Sequence, residues 1–181
     1  MNQQPTTTNQ PHKNQQPATP NRPLKILFVC LGNICRSPAA QSTLLHIISQ
    51  NNDTPNWHID SAATGNYHTG DLPDPRMRHH AAQRNLTLTH RARQIDIDDF
   101  TNFDIIIPMD ANNHRHLLQL APDPQTQTKI HPIATYLSPH LRQHYDHIPD
   151  PYYEGPQGFQ LVLDLLQDAC TNIYNTHKQH P

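Results

Sequence analysis

Hydrophobic residues fall into a few short runs separated by polar, proline-rich stretches. Leu24-Lys25-Ile26-Leu27-Phe28-Val29 is nearly continuous and rich in β-formers, which predicts a central parallel strand covered on both faces. Residues Cys30 to Arg36 interrupt the run, and Ser37-Pro38 offers a helix start with proline at the first helical position. The helix that follows aligns Ala40, Leu44, Ile47 and Ile48 on one stripe. Trp57 to Ala62 predicts a second strand, Phe103 to Ile107 a third and Lys129 to Ile133 a weaker fourth. Helices are expected near Arg76 to Arg84 and Asn112 to Leu120. A last one, from about Gln157 to His177, carries Phe159, Val162, Leu163, Leu166, Ala169, Cys170 and Ile173 on one face. This alternation implies a doubly wound α/β domain, a four-stranded central parallel sheet with helices on both faces. Ligands of such sheets sit beyond the carboxyl ends of the strands where strand order reverses, so the loop after the first strand is the first candidate site.

Composition sets the boundaries. The first 23 of the 181 residues include five Pro, five Gln, four Asn and four Thr, which predicts a disordered arm (1–23) ahead of a single domain (24–181). A net charge of −2 argues against a surface built to coat nucleic acid. Three Cys and no apolar leader suit a reducing, cytoplasmic setting, and no apolar run approaches the roughly 20 residues of a membrane span.

The loop Cys30-Leu31-Gly32-Asn33-Ile34-Cys35-Arg36-Ser37 places a thiol at the end of a buried strand and a guanidinium just before a helix. A strand–loop–helix turn of this kind points backbone N–H groups inward and adds the positive end of the helix dipole, which makes an anion cradle. Gly32 and Asn33 suit the positive φ such a concave loop requires. The same dipoles and the Arg36 charge favour the thiolate of Cys30 at neutral pH. A thiolate beneath a tetrahedral dianion is placed for in-line attack on phosphorus, with Arg36 gripping two oxygens. Taken alone, the loop also fits a core cysteine beside a surface arginine.

Expelling an alkoxide or phenolate from phosphorus needs a proton donor. Asp150, in Ile148-Pro149-Asp150-Pro151-Tyr152-Tyr153, is stiffened by two prolines and followed by two rings that would line a slot and desolvate it. By itself the segment also reads as an ordinary Pro-Asp-Pro turn.

Together these segments resemble the low-molecular-weight protein tyrosine phosphatase family, from about Lys25 to the C-terminal helix. Val29 to Pro38 is similar to the family signature at every position, and Asp150-Pro151-Tyr152-Tyr153 to its general-acid loop. Asp60 to Thr64, Pro73 to Arg76, His90 to Ile95 and Met109-Asp110 resemble intervening blocks. The resemblance implies hydrolysis of phosphotyrosine through a phosphocysteine intermediate. Cys30 would be the nucleophile, Arg36 the phosphoryl ligand and Asp150 the acid and then the base. Leu31, Gly32, Asn33, Ile34, Cys35 and Ser37 would bind substrate together with Tyr67, Tyr152 and Tyr153. Asn33, Ser61 and His90 would hold the loop in shape, and glycines on either side of the Tyr67 segment suggest a mobile wall. Cys30 and Cys35 would form a reversible redox pair.

Neither His79-His80 nor His114 and His116 present two rings on one helical face, so no metal or cofactor is expected. Cys170, on the stripe of the last helix, reads as core. The implied partner is a phosphotyrosine protein, in bacteria often a tyrosine autokinase, met by a monomer or a weakly self-associating dimer. Arsenate reduction on the same fold and a catalytically idle phosphotyrosine-binding module are the alternatives, although Ser61 to Gln94 contains no further cysteine for a reductase relay.

Overall fold

The computed structural model of the protein describes residues 22–178. The expected arm, residues 1–23, lies outside them except for Arg22 and Pro23. Arg22 grips Asp104 with two hydrogen bonds of 2.8 and 2.6 Å. Strands β1 (Leu24–Cys30), β2 (Trp57–Ala63) and β3 (Ile105–Pro108) form a parallel sheet in the order β2-β1-β3. The helices are α1 (Arg36–Gln50), α2 (Pro75–Ala82), α3 (Asp99–Asn102), α4 (Ala111–Leu120), α5 (Pro124–Gln127), α6 (Pro139–Arg142) and α7 (Pro156–His177).

β1 is central, and its two faces feed different cores. Ile26, Phe28 and Cys30 pack with Ala40, Leu44 and Ile48 of α1 and with Phe159, Val162, Leu166 and Ile173 of α7. Leu27 and Val29 point the other way, to Phe100, Phe103, Ile106 and Leu117. That is the period-two alternation of a strand, and apolar residues on both faces account for the unbroken run in the sequence. Burying each of the larger side chains contributes roughly 1.5–3 kcal/mol.

Two expectations are corrected. Lys129 to Ile133 does not extend as a fourth strand: it makes one parallel bridge, Ile106 to Ile130, through N–H bonds from Ile106 to the Lys129 carbonyl and from His131 to the Ile106 carbonyl, both 2.9 Å. The next rung would need an N–H from residue 108 to the His131 carbonyl, and Pro108 has none. The sheet of the described residues therefore has three strands and a bridge. α1 begins at Arg36, with Cys35 as its N-cap and no side-chain cap bond. Ser37 does not cap the helix because its hydroxyl turns inward toward Cys30, 3.1 Å away.

The topology positions the site. The chain leaves β1 for β2 on one side and returns past β1 to β3 on the other, so strand order reverses at the carboxyl end of β1, where Cys30 is the last residue. The Met109 N–H bonds the Val29 carbonyl (3.0 Å), and the Ile148 N–H bonds the Met109 carbonyl (2.9 Å). Those two bonds lay the segment ending in Asp150 across the same strand ends. Among the described residues no helix is long and apolar enough to cross a membrane.

Candidate active site

The loop after β1 is turned inside out by its carbonyls. Those of Cys30, Leu31, Ile34 and Cys35 accept N–H bonds from Thr64 (2.8 Å), Gly65 (2.9 Å), Asp74 (2.8 Å) and Ala39 (3.2 Å), all outside the loop. No peptide bond is cis among the described residues, and in a trans peptide the N–H opposes the C=O. The N–H groups of Leu31, Gly32, Cys35 and Arg36 are therefore turned toward the concave side. The Asn33 N–H donates to Cys30 Sγ at 3.3 Å. Asn33 takes φ 56°, as expected, whereas Gly32 is not at positive φ. A Cβ on Gly32 would lie 3.0 Å from the ring of His68, so a side chain there would press on that wall of the cavity.

Behind the loop, the Asn33 side chain uses its full hydrogen-bonding capacity. Its Nδ2 donates to Ser37 Oγ (2.8 Å) and Ser61 Oγ (2.9 Å). Its Oδ1 accepts from the Arg93 N–H (3.0 Å) and pairs with His90 Nε2 at 2.9 Å. The Arg93 N–H can only donate, which fixes the amide orientation and makes His90 Nε2 the protonated nitrogen. Burial lowers the His90 pKa from the usual histidine range, more than Asp60, 3.6 Å from Nδ1, raises it. Ser61 passes its proton on to Gln41 Oε1 at 2.7 Å. Ser37, receiving the Asn33 amide, has its hydroxyl proton free to face Cys30 Sγ or the Ala62 carbonyl. The three residues expected to support the loop thus meet at one amide. The side chains of Asn33 and Ser37 are wholly buried behind the loop and do not line the cavity in front.

Arg36 is buried and held by three groups from two segments. Nη1 donates to Asp110 Oδ2 (2.6 Å) and the Ile148 carbonyl (3.3 Å), and Nη2 donates to Asp150 Oδ2 (2.7 Å). Burial works against its charge, but the negative groups at Cys30, Asp150 and Asp110 outweigh that and raise its pKa. Asp110 was not singled out as a site residue in the sequence. Its one local signal is that it caps α4, with Oδ1 accepting the Asn113 N–H at 2.8 Å. Asp150 Oδ1 accepts the Tyr152 N–H at 3.1 Å. The aromatic rings do not bury this carboxylate as expected, since its side chain is 41 % exposed.

A cavity of about 240 Å³ opens in front of the loop, with Cys30 and Arg36 among its lining residues and Asp150 at its side. Leu31, Ile34, Tyr67, His68, Tyr152 and Tyr153 complete its walls. His68, missed in the sequence, reaches it on the loop that follows β2. Tyr67 and Tyr153 are largely exposed, at 77 % and 93 %. Gly65 gives the Tyr67 ring room to lie back on the chain, because a Cβ there would meet the ring at 2.5 Å. Cys35 also borders the cavity; burial foremost, then the charges of Asp74, Cys30 and Asp150, pushes its thiol up, so it stays protonated. All three cysteines are free, and Cys170 is buried on α7 with Sγ 3.6 Å from the Ala40 carbonyl. Among the described residues no group of three or more His, Cys, Asp or Glu could hold a metal ion.

A parallel α/β sheet that ends its central strand in a thiol, wraps that thiol in inward amides and sets a guanidinium and a carboxylate above it defines the class of cysteine-centred phosphate-handling domains. Residues 25–180 match the family model for low molecular weight phosphotyrosine protein phosphatase. The human low molecular weight phosphotyrosine protein phosphatase is 38 % identical over 146 residues, which span 80 % of this chain and 90 % of that protein. The protein tyrosine phosphatase of Entamoeba histolytica, solved with Hepes in the active site, superposes with a TM-score of 0.81 at 38 % identity, covering 86 % of this chain and 97 % of the other. The Drosophila arginine phosphatase gives a TM-score of 0.79 at 31 % identity, covering 87 % and 100 %. The chain belongs to the low molecular weight phosphotyrosine protein phosphatase family.

Proposed function

We propose that the protein hydrolyses phosphotyrosine in proteins, with Cys30 as nucleophile, Arg36 as phosphoryl ligand and Asp150 as acid and base. One observation carries the reading: Cys30, Arg36 and Asp150 converge on a single cavity although Arg36 and Asp150 are 114 residues apart. The sulfonate of Hepes in the Entamoeba histolytica active site is a tetrahedral anion of the right shape for such a cradle. Cys30 Sγ attacks phosphorus, the ester P–O bond breaks, and Asp150 gives its proton to the departing phenolate oxygen. Asp150 then takes a proton from water, the resulting hydroxide attacks phosphorus, and the P–S bond breaks to return the thiolate. Ser37 donates to the sulfur throughout. Cys170, buried away from the loop, is no relay for arsenate reduction.

Selectivity follows from depth. Tyr67, Tyr152, Leu31 and Ile34 wall the cavity above the cradle, so an aryl phosphate reaches the floor and a short phosphoserine stem does not. The test is a panel of matched peptides carrying phosphotyrosine, phosphoserine or phosphoarginine. Release of inorganic phosphate from the phosphotyrosine peptide should exceed the others in kcat/KM by at least about a hundredfold, as expected when a buried contact is lost. Preference for phosphoarginine would overturn the assignment. On the family resemblance we further propose an autophosphorylated tyrosine kinase as the physiological substrate, met in the cytoplasm by a monomer or weak dimer.

The acid loop rests on α7 at Gly158. A Cβ there would lie 2.4 Å from Glu154 Cβ, an atom fixed by the backbone, so the loop itself must move. Gly158→Ala should lower kcat by roughly ten- to a hundredfold, the cost of displacing a catalytic group by about 1 Å, while the melting temperature changes little. An unchanged kcat would show that the loop tolerates the shift.

A further inference from the structure

Arg76 lies outside the cavity, yet it touches both halves of the site. The Asp74 N–H donates to the Ile34 carbonyl of the cradle loop at 2.8 Å. The Asp74 carboxylate in turn holds Arg76 by a two-point grip, Nε to Oδ1 at 3.0 Å and Nη2 to Oδ2 at 2.7 Å. The guanidinium stands 5.3 Å from the centroid of the Tyr152 ring and 5.0 Å from that of Phe159 on α7. Tyr152 is the residue whose N–H binds Asp150. A continuous path therefore runs from Ile34 through Asp74, Arg76 and Tyr152 to Asp150, joining two loops that are far apart in sequence.

We infer that Arg76 is a positioning residue that keeps Asp150 in register with the cradle during turnover. The inference rests on the phosphatase reading above. The acid loop is also tied by the Arg36–Asp150 pair at 2.7 Å. A bound phosphoryl group needs those guanidinium donors, so that tie is released at the moment the acid must act. The cation–π contact between Arg76 and Tyr152 is unaffected by the phosphoryl group and becomes, with the Gly158 packing, what holds the loop. Lysine would be a poor replacement: it keeps the charge but loses the flat fork that binds Asp74 at two points and lies against two rings.

The experiment compares kcat/KM of Arg76→Gln for phenyl phosphate and for p-nitrophenyl phosphate, because kcat/KM reports the steps up to expulsion of the leaving group. Phenolate needs the proton and nitrophenolate hardly does. The expected losses are on the order of tenfold for the first and less than about threefold for the second, with Arg76→Lys falling between Arg76→Gln and the unaltered protein. In a Tyr152→Leu background, Arg76→Gln should cost no more, since the path is already cut. Equal losses on both substrates, or additive losses in the double variant, would overturn the inference and leave a merely structural arginine. Hydrolysis of neither substrate by the unaltered protein would overturn the phosphatase reading as well, so the two failures are distinguishable.

Discussion

Cys30→Ser is expected to abolish hydrolysis of aryl phosphates while leaving the fold and phosphate binding in place. The change replaces one buried atom of the first core by a smaller one at the end of β1 and leaves every other core side chain in place, so the far-ultraviolet spectrum and the cooperative melt should be retained. The loss should be on the order of 10⁶ in kcat, the scale on which removal of a covalent nucleophile is felt. Serine supplies a neutral hydroxyl where the mechanism needs an anion, and the two donors aimed at the sulfur, Asn33 N–H at 3.3 Å and Ser37 Oγ at 3.1 Å, cannot ionise it. Arg36 and the inward amides remain, so the variant should retain phosphotyrosyl proteins on a column and release them to free phosphate. That pull-down also names the physiological substrate. Measurable turnover by Cys30→Ser, or failure to retain any phosphopeptide with the fold intact, would remove the nucleophile assignment.

What could be read in the sequence was whatever a contiguous segment contains. β1, the loop and α1 are consecutive, so thiol, concave turn and helix start appear together in Cys30 to Ser37. Asp150 shows through its two flanking prolines. The network behind the loop is different: Asn33 meets Ser61 28 residues on, His90 57 on and Arg93 60 on, distances at which no pattern of residues reports contact. The family resemblance indicated Asn33, Ser61 and His90, but neither it nor periodicity singled out Arg93 or Gln41. Asp110 is read locally as a helix cap, and only the fold brings it to Arg36. Four-residue helices such as α3, α5 and α6 are one turn each, too short to show an apolar stripe. The fourth strand was overread for the converse reason. Lys129 to Ile133 contains two β-branched isoleucines, yet Pro108 of β3 has no N–H for the next rung, and the pairing ends after one bridge.

Asp150→Asn is expected to cost about 10²–10⁴ in kcat for a substrate with a poor leaving group, the contribution of a general acid. Asparagine matches the carboxylate in size and can still accept the Tyr152 N–H, so the loop keeps its geometry. It loses the ion pair with Arg36, and that loss frees the guanidinium for phosphate. Binding should therefore be preserved or tightened while chemistry fails, a fall in kcat with KM unchanged or lower. The two half-reactions should separate. With p-nitrophenyl phosphate, whose leaving group departs without a proton, rapid mixing should show a burst of nitrophenol near one equivalent per enzyme, because water then attacks the phosphocysteine without its base. With phenyl phosphate no burst should appear, since formation of the intermediate is itself slow. The limb of the kcat/KM profile that reports a protonated acid in the free enzyme should vanish for phenyl phosphate. A variant that hydrolyses both substrates at the unaltered rate would transfer the acid role elsewhere. Asp110 is the one other carboxylate within reach of Arg36, at 2.6 Å among the described residues, and would be the next to substitute.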